Sequence, residues 1–290
     1  MASTRPYIPR VGVVFDFDKT LASDTIDGML GVLGLARDEW EARYQEPLGE
    51  GWHPIIRRGQ ALIRAGRDLG RPLTRERFAE AGRHIALYPG VLEMPGRLRE
   101  VARAVDPTID VEISILSSGF VELIRATEMA DRVDHVFAGG FHFEGDGPEG
   151  EAVCVKQIIS HPEKALYLRA YGEGLDVSAA NAPGTAGPLV AERDFHILYD
   201  QMVYLGDGES DLQAFGFLES EGGLTIAIED GERFDDEDAM APGQQVDTLA
   251  PADYREGRPI MEALEMAVRA CASRVALRRW SAGKDRAREG

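Results

Sequence analysis

Residues Val11-Gly-Val-Val-Phe15 make a short apolar run with no polar alternation, and the run ends directly in Asp16-Phe17-Asp18-Lys19-Thr20. A strand that is apolar on both faces has to be covered on both faces, as in a parallel sheet with helices above and below. Side chains on an extended backbone alternate, so Asp16 and Asp18 are expected to project towards one point while Phe17 turns into packing. Like charges held that close call for a cation or a shared proton. Stability alone gives no reason to end a buried strand this way. The pair therefore reads as a site.

From Asp24 to about Tyr88 the apolar spacing becomes helical and predicts helices at Ile26–Leu35, Pro54–Leu69 and Thr74–Ala86, the last with Thr74 as N-cap. No strand pattern interrupts this block, which reads as a helical insertion closed by Pro89-Gly90. Next come a helix through Arg103, a strand at Val111–Leu116, a turn at Ser117-Ser118-Gly119 and a helix over Phe120–Met129. Val133–Phe137 and Phe141–Phe143 read as short strands, with hairpin chemistry from Glu144 to Gly147, ahead of a helix at Glu163–Ala170. Residues 172–190 are rich in Gly and Pro and read as an exposed loop. A strand at Met202–Leu205 leads into the acidic turn Gly206-Asp207-Gly208-Glu209-Ser210-Asp211. The remainder predicts a strand at Leu224–Ile228, an irregular acidic stretch over 230–252, and a helix from Ile260 to about Trp280 with a frayed basic tail, Arg278 to Arg288.

Strands alternating with helices predict an α/β fold built on a parallel sheet. Ligands of such sheets collect beyond the carboxyl ends of the strands. Asp16 and Asp18, Ser117, and Asp207 with Asp211 each follow a predicted strand end, so they are expected on one rim.

Each segment suggests a chemistry and has a plainer alternative. A calcium loop is excluded at Asp16–Asp27, because Leu21 replaces the required glycine and Asp27 the terminal glutamate. A helix-capping cluster is the remaining alternative; functionally, one aspartate attacks phosphorus and the other shuttles the leaving-group proton. Ser117 with the N–H groups after it would cradle an anion, although Ser-Gly turns are common. Lysine is scarce: of 32 basic residues only Lys19, Lys156, Lys164 and Lys284 are lysines, which suggests places needing a point-like ammonium. Lys164 is ranked ahead of Lys156 as the neutraliser of a crowded phosphate site. In the Gly206–Asp211 turn, glycines admit a metal to the backbone, and Asp207 and Asp211 can share a face as a helix starts.

The net charge of −18 argues against broad nucleic-acid binding and against docking on anionic membranes. No stretch approaches the ~20 apolar residues of a membrane span, and the N-terminus lacks the apolar segment of a signal peptide. Cys154 and Cys271 have no metal-type spacing. A cytoplasmic, disulfide-free protein is expected.

Taken in order, the four segments resemble the motifs of the haloacid-dehalogenase-like hydrolase superfamily, mostly Mg2+-dependent phosphatases, over about Val11–Asp230. The resemblance implies a three-layer Rossmann-like parallel sheet core over 1–20 and 89–250, an inserted α-helical cap domain over 21–88, and a C-terminal helix and basic tail over 251–290. Asp16 is then the nucleophile that forms an aspartyl-phosphate and one of the metal residues. Asp18 is the general acid/base and gives its backbone carbonyl to Mg2+. Ser117 and Lys164 bind the phosphate, Asp207 ligates the metal, and Asp211 ligates or supports it. Family dehalogenases lack an equivalent of Asp18, which favours phosphoryl chemistry. The chain is most similar to the phosphoserine phosphatase group, but Thr25 stands where that group carries a substrate-binding glutamate, with Asp24 adjacent. Arg57, Arg58 and Arg64 are candidates for an anionic leaving group or solvated helix arginines. The expected function is hydrolysis of a small phosphorylated metabolite. Phosphotransfer through the same phosphoaspartate, or phospho-ligand binding without turnover, are the alternatives.

Overall fold

The computed structural model describes residues 5–175, 190–208, 210–228, 246 and 248–286. The apolar run becomes strand β1 (Arg10–Phe15), whose last five residues are buried. It pairs in parallel with β2 (Asp110–Phe120) on one side and β5 (Met202–Gly206) on the other, so it lies inside the sheet as its sequence predicts. With β3 (His135–Glu144), β4 (Glu151–Gln157), β6 (Leu224–Ile228) and β7 (Thr248–Ala250), the seven-stranded sheet runs β4-β3-β2-β1-β5-β6-β7. Among the described strands of this sheet, β3 and β4 alone pair antiparallel.

Between β1 and β2 lie α1 (Thr25–Leu33), α2 (Arg37–Trp40), α3 (Pro54–Asp68) and α4 (Arg75–His84), the helical insertion of the sequence reading. Local signals fix their ends: the Asp24 carboxylate accepts from Ile26 N–H and Gly34 closes α1 with a left-handed φ of 73°. Thr74 caps α4 as predicted, accepting from Arg77 N–H. The core supplies α5 (Met94–Val105), α6 (Val121–Arg125), α7 (His161–Glu173), α8 (Leu212–Ser220) and α9 (Pro259–Arg286).

Alternation along β1 gives the three layers. Val11, Val13 and Phe15 belong to a cluster with Leu98 of α5, Leu264 and Val268 of α9 and the insertion helices. Val14 faces the opposite way, in a cluster with Leu168 of α7, Phe215 of α8 and Tyr204 of β5. Phe78 of α4 lies 5.1 Å from Phe141, which lies 4.4 Å from Phe120, so an aromatic stack fastens the insertion to β2 and β3.

Several expectations are corrected. Ser117-Ser118-Gly119 is an extension of β2, irregular in register between Leu116 and Phe120, and not a turn. The helix expected over Phe120–Met129 shrinks to α6, since Phe120 still pairs with Gly139. The two short strands at Val133–Phe137 and Phe141–Phe143 merge into β3, and β4 and β7 were not predicted. Helix α7 continues to Glu173, and α9 runs to Arg286, so the basic segment expected to fray from Arg278 is helical to that point. The rest of the 172–190 loop, residues 176–189, lies outside the described residues. So do 230–245 and 247 of the acidic stretch, Glu209, Glu229, and residues 287–288 of the tail.

Candidate active site

Strand β1 stops at Phe15, and the backbone then turns within a few residues. Asp16 N–H still donates to Leu205 O at 2.8 Å, holding it between β1 and β5, and Asp16 is 4% exposed. Lys19 takes a left-handed φ of 59° and donates its N–H to Ala22 O at 2.7 Å, which directs the chain back past Asp18. Phe17 is fully buried, as expected.

The two aspartates do not share one electrostatic neighbourhood. Asp18 lies beyond the strand, so strand alternation does not aim it. Its Oδ1 accepts from Thr25 N–H at 2.7 Å and its Oδ2 from the Thr25 hydroxyl at 3.3 Å. Burial, then the nearby Asp24 carboxylate, push Asp18 up to about 6, against the Thr25 N–H and Arg58. Asp16 has other company: burial pushes it up to about 7, Lys164 opposes, and the Asp211 and Asp207 carboxylates add to the rise.

Lys164, on α7 and fully buried, is the junction of the site. Its Nζ is 3.0 Å from Asp16 Oδ2 and 2.6 Å from Asp211 Oδ1. Burial disfavours its charge, but the two carboxylates together hold its pKa above the ordinary value. Lys156, its competitor, is exposed on β4. Asp211 is fully buried and also accepts from the Tyr204 hydroxyl at 2.5 Å. It packs so closely on β5 that a Cβ at Gly206 would sit 2.1 Å from its Oδ2, which explains that glycine. Asp207 is raised by burial and by Asp211, with Lys164 and Lys19 opposing. Carboxylate oxygens of Asp16, Asp207 and Asp211 lie within 4.8 Å of one another. The Asp18 carboxylate is outside this group.

Ser117 arrives from β2 with its side chain buried, its Oγ accepting from Gly119 N–H at 2.9 Å. A Cβ at Gly119 would lie 3.0 Å from Asp18 Oδ2 and 3.2 Å from Ser117 Oγ, so both groups face the same narrow space. The five residues expected on the rim lie in two subclusters, Asp16 with Asp207 and Asp211 around Lys164 of α7, and Asp18 with Ser117. Of the insertion arginines, Arg58 bears on the site through a 2.7 Å ion pair with Asp24, whereas Arg57 donates to Gln45 O and Arg64 is exposed. Three contributors carry no role in the sequence pattern: Thr25 stands out only as a departure, Tyr204 sits inside an apolar strand, and the Ser210 hydroxyl, 3.2–3.3 Å from Lys164 Nζ, Asp16, Asp207 and Asp211, is one more polar residue of an acidic turn.

The family model for haloacid dehalogenase-like hydrolases matches residues 13–216, which include every residue of this rim. The chain belongs to the haloacid dehalogenase-like hydrolases. A probable phosphoserine phosphatase from Vibrio cholerae, unliganded, superposes with a TM-score of 0.51 at 14% identity, covering 93% of this chain and 68% of that one. A hydrolase of the same family from Salmonella enterica serovar Typhi gives 0.50 at 16% identity, over 76% of this chain and 63% of that one, so this chain spans less than two thirds of it. At these identities the likeness is one of fold. No curated protein sequence matches the chain. Among the described residues of this hydrolase neither Cys154 nor Cys271 is in a disulfide, and no helix is long and apolar enough to cross a membrane.

Proposed function

We propose that this hydrolase is a Mg2+-dependent phosphomonoesterase that acts on a small phosphorylated metabolite through an aspartyl-phosphate at Asp16. The observation that carries this reading is the convergence of Asp16, Asp207 and Asp211 within 4.8 Å around one buried lysine. Three carboxylates and one ammonium leave the site short of positive charge, and burial first, with the Asp211 and Asp207 carboxylates adding to it, raises Asp16 to about 7. Hard oxygen donors in such a set fit Mg2+. Asp16, Asp207 and Asp211 would hold it, with the backbone carbonyl of Asp18, and it would offset charge on the phosphoryl oxygens.

In this reading Asp16 Oδ2 attacks phosphorus in line, an O–P bond forms to the carboxylate, and the bond to the leaving oxygen breaks. Asp18 gives its proton to the leaving oxygen. With a pKa near 6, it carries a proton readily enough to donate and loses it readily enough to serve next as base. It then takes a proton from the water that hydrolyses the phosphoaspartate. Thr25 keeps the Asp18 carboxyl oriented through both steps, and Lys164 with the Ser117 hydroxyl binds phosphoryl oxygens. The helical insertion would act as the cap that excludes bulk water.

Turnover of para-nitrophenyl phosphate tests the reading. Activity should require Mg2+, vanish on chelation and return on readdition. Asp18→Asn should lower kcat by about 10²-fold or more, the scale of a lost general acid/base. Turnover indifferent to chelation, or to Asp18→Asn, would contradict it.

A further inference from the structure

Next to Asp18 opens a cavity of about 610 Å3 whose walls include Lys19, Ser23, Asp24, Asp27, Arg37 and Tyr88. Its first notable wall is Lys19. Among the described residues this is the one non-glycine position with a left-handed φ, 59°. A side chain there costs roughly 1 kcal/mol or more relative to glycine, so the lysine is retained against a local backbone preference. Such outliers point towards function when the side chain has somewhere to act. Among the described residues Lys19 is in no ion pair; it lines the cavity, and its charge also acts on Asp207.

The acids of the cavity, in contrast, are already answered. Asp24 Oδ1 accepts from Ile26 N–H at 3.0 Å, and its Oδ2 faces Arg58 at 2.7 Å and Arg37 at 3.1 Å. Asp27 Oδ1 accepts from Arg37 Nε at 2.8 Å. Arg37 Nη2 lies within ion-pair reach of both carboxylates yet makes a well-angled hydrogen bond to neither. A cationic ligand would find each carboxylate facing a guanidinium. An anionic one would find the Lys19 ammonium, in no ion pair among the described residues, and a guanidinium nitrogen that makes no hydrogen bond.

We propose that this cavity binds a second anionic group, a carboxylate or a phosphate, carried on the leaving-group side of the substrate, with Lys19 as its main contact. The proposal rests on the phosphomonoesterase reading above and narrows its substrate class. The substrates are phosphomonoesters whose leaving alcohol bears an additional anion and no ammonium. Thr25, uncharged and already bonded to Asp18, offers nothing to an ammonium either.

The test compares kcat/KM for phosphoglycolate and fructose bisphosphate with that for glycerol phosphate, O-phosphoserine and para-nitrophenyl phosphate. Wild type should prefer one of the first two over glycerol phosphate and O-phosphoserine. Lys19→Gly should reduce that preference about tenfold, mainly through KM, the scale of one lost charge-assisted contact. Lys19→Arg should keep most of it. Whichever of the two anions loses more identifies the group bound. Since glycine suits the left-handed backbone, Lys19→Gly should melt no lower than wild type. A preference unchanged in Lys19→Gly, or a wild type favouring O-phosphoserine or glycerol phosphate, overturns the subsite while leaving the phosphomonoesterase intact. Absence of Mg2+-dependent turnover with every substrate overturns both.

Discussion

Replacing Asp16 by asparagine should make the metal-free protein more stable while it abolishes turnover. The carboxylate is 4% exposed, and burial together with Asp211 and Asp207 moves its pKa from 3.8 to about 7. A carboxylate raised in the folded state works against folding at any pH above its unfolded value, because the native protein must surrender a proton it holds more tightly. At about 1.36 kcal/mol for each unit, a shift from 3.8 to about 7 amounts to roughly 4 kcal/mol against the folded state near neutral pH. Asparagine keeps an acceptor for Lys164 Nζ, now 3.0 Å from Asp16, but loses the ion pair, so the net gain should be on the order of 2–4 kcal/mol. For a chain of this size that raises Tm by roughly 5–10 °C. The assay is thermal unfolding followed by circular dichroism in excess chelator, repeated with Mg2+. Wild type should gain stability from Mg2+ and the variant much less, because one of the three carboxylates is gone. If Asp16→Asn melts at or below wild type in chelator, or gains as much from Mg2+, the electrostatic account of the site is wrong.

Two further outcomes follow from the fold. At Gly82 of α4 an added Cβ would lie 2.2 Å from Ala126 Cβ and 2.7 Å from its carbonyl carbon, so Gly82→Ala should cost about 1–3 kcal/mol by overpacking where the insertion meets the core. An unchanged Tm would show that this junction is looser than described. At the foot of the sheet, Glu112 is opposed by burial but receives hydrogen bonds from His135, His196 and Tyr171, which bring it from 4.5 down to about 2. A depressed carboxylate contributes stability above its unfolded pKa and loses it as pH falls through the folded one. The urea midpoints of wild type and Glu112→Gln should therefore differ above pH 4.5 and converge towards pH 2. His135, raised by the same carboxylate, adds a part present below 6.5 that fades as pH rises through its raised value. A gap between the two proteins that stays constant with pH would refute the assignment.

The sheet and the rim were legible because their signals are local. An apolar run ending in carboxylates, and helical spacing bounded by Asp24, Pro54 and Thr74, survive into the fold with small shifts at their ends. What escaped depends on partners distant in sequence. Ser117-Ser118-Gly119 has turn-forming residues, yet Phe120 pairs with Gly139 and draws the segment into β2. Strand β4 carries the exposed Cys154 and Lys156 at the sheet edge and shows no apolar run. The separation of Asp16 from Asp18 was equally invisible. It follows from where β1 stops and from the left-handed turn at Lys19, which no spacing rule encodes. Tyr204 looked like one more residue of a buried strand, and only the position of Asp211 gives its hydroxyl a role.

The central claim is that Asp16 takes the phosphoryl group. Its most direct test is to mix enzyme and substrate with Mg2+, quench in acid within a single turnover, and map the phosphorylated peptide by mass spectrometry. The account predicts one phosphoryl group on the peptide containing Asp16, transient in wild type, longer-lived in Asp18→Asn and absent in Asp16→Asn. A phosphoryl group on any other residue, or turnover that persists in Asp16→Asn, would contradict it.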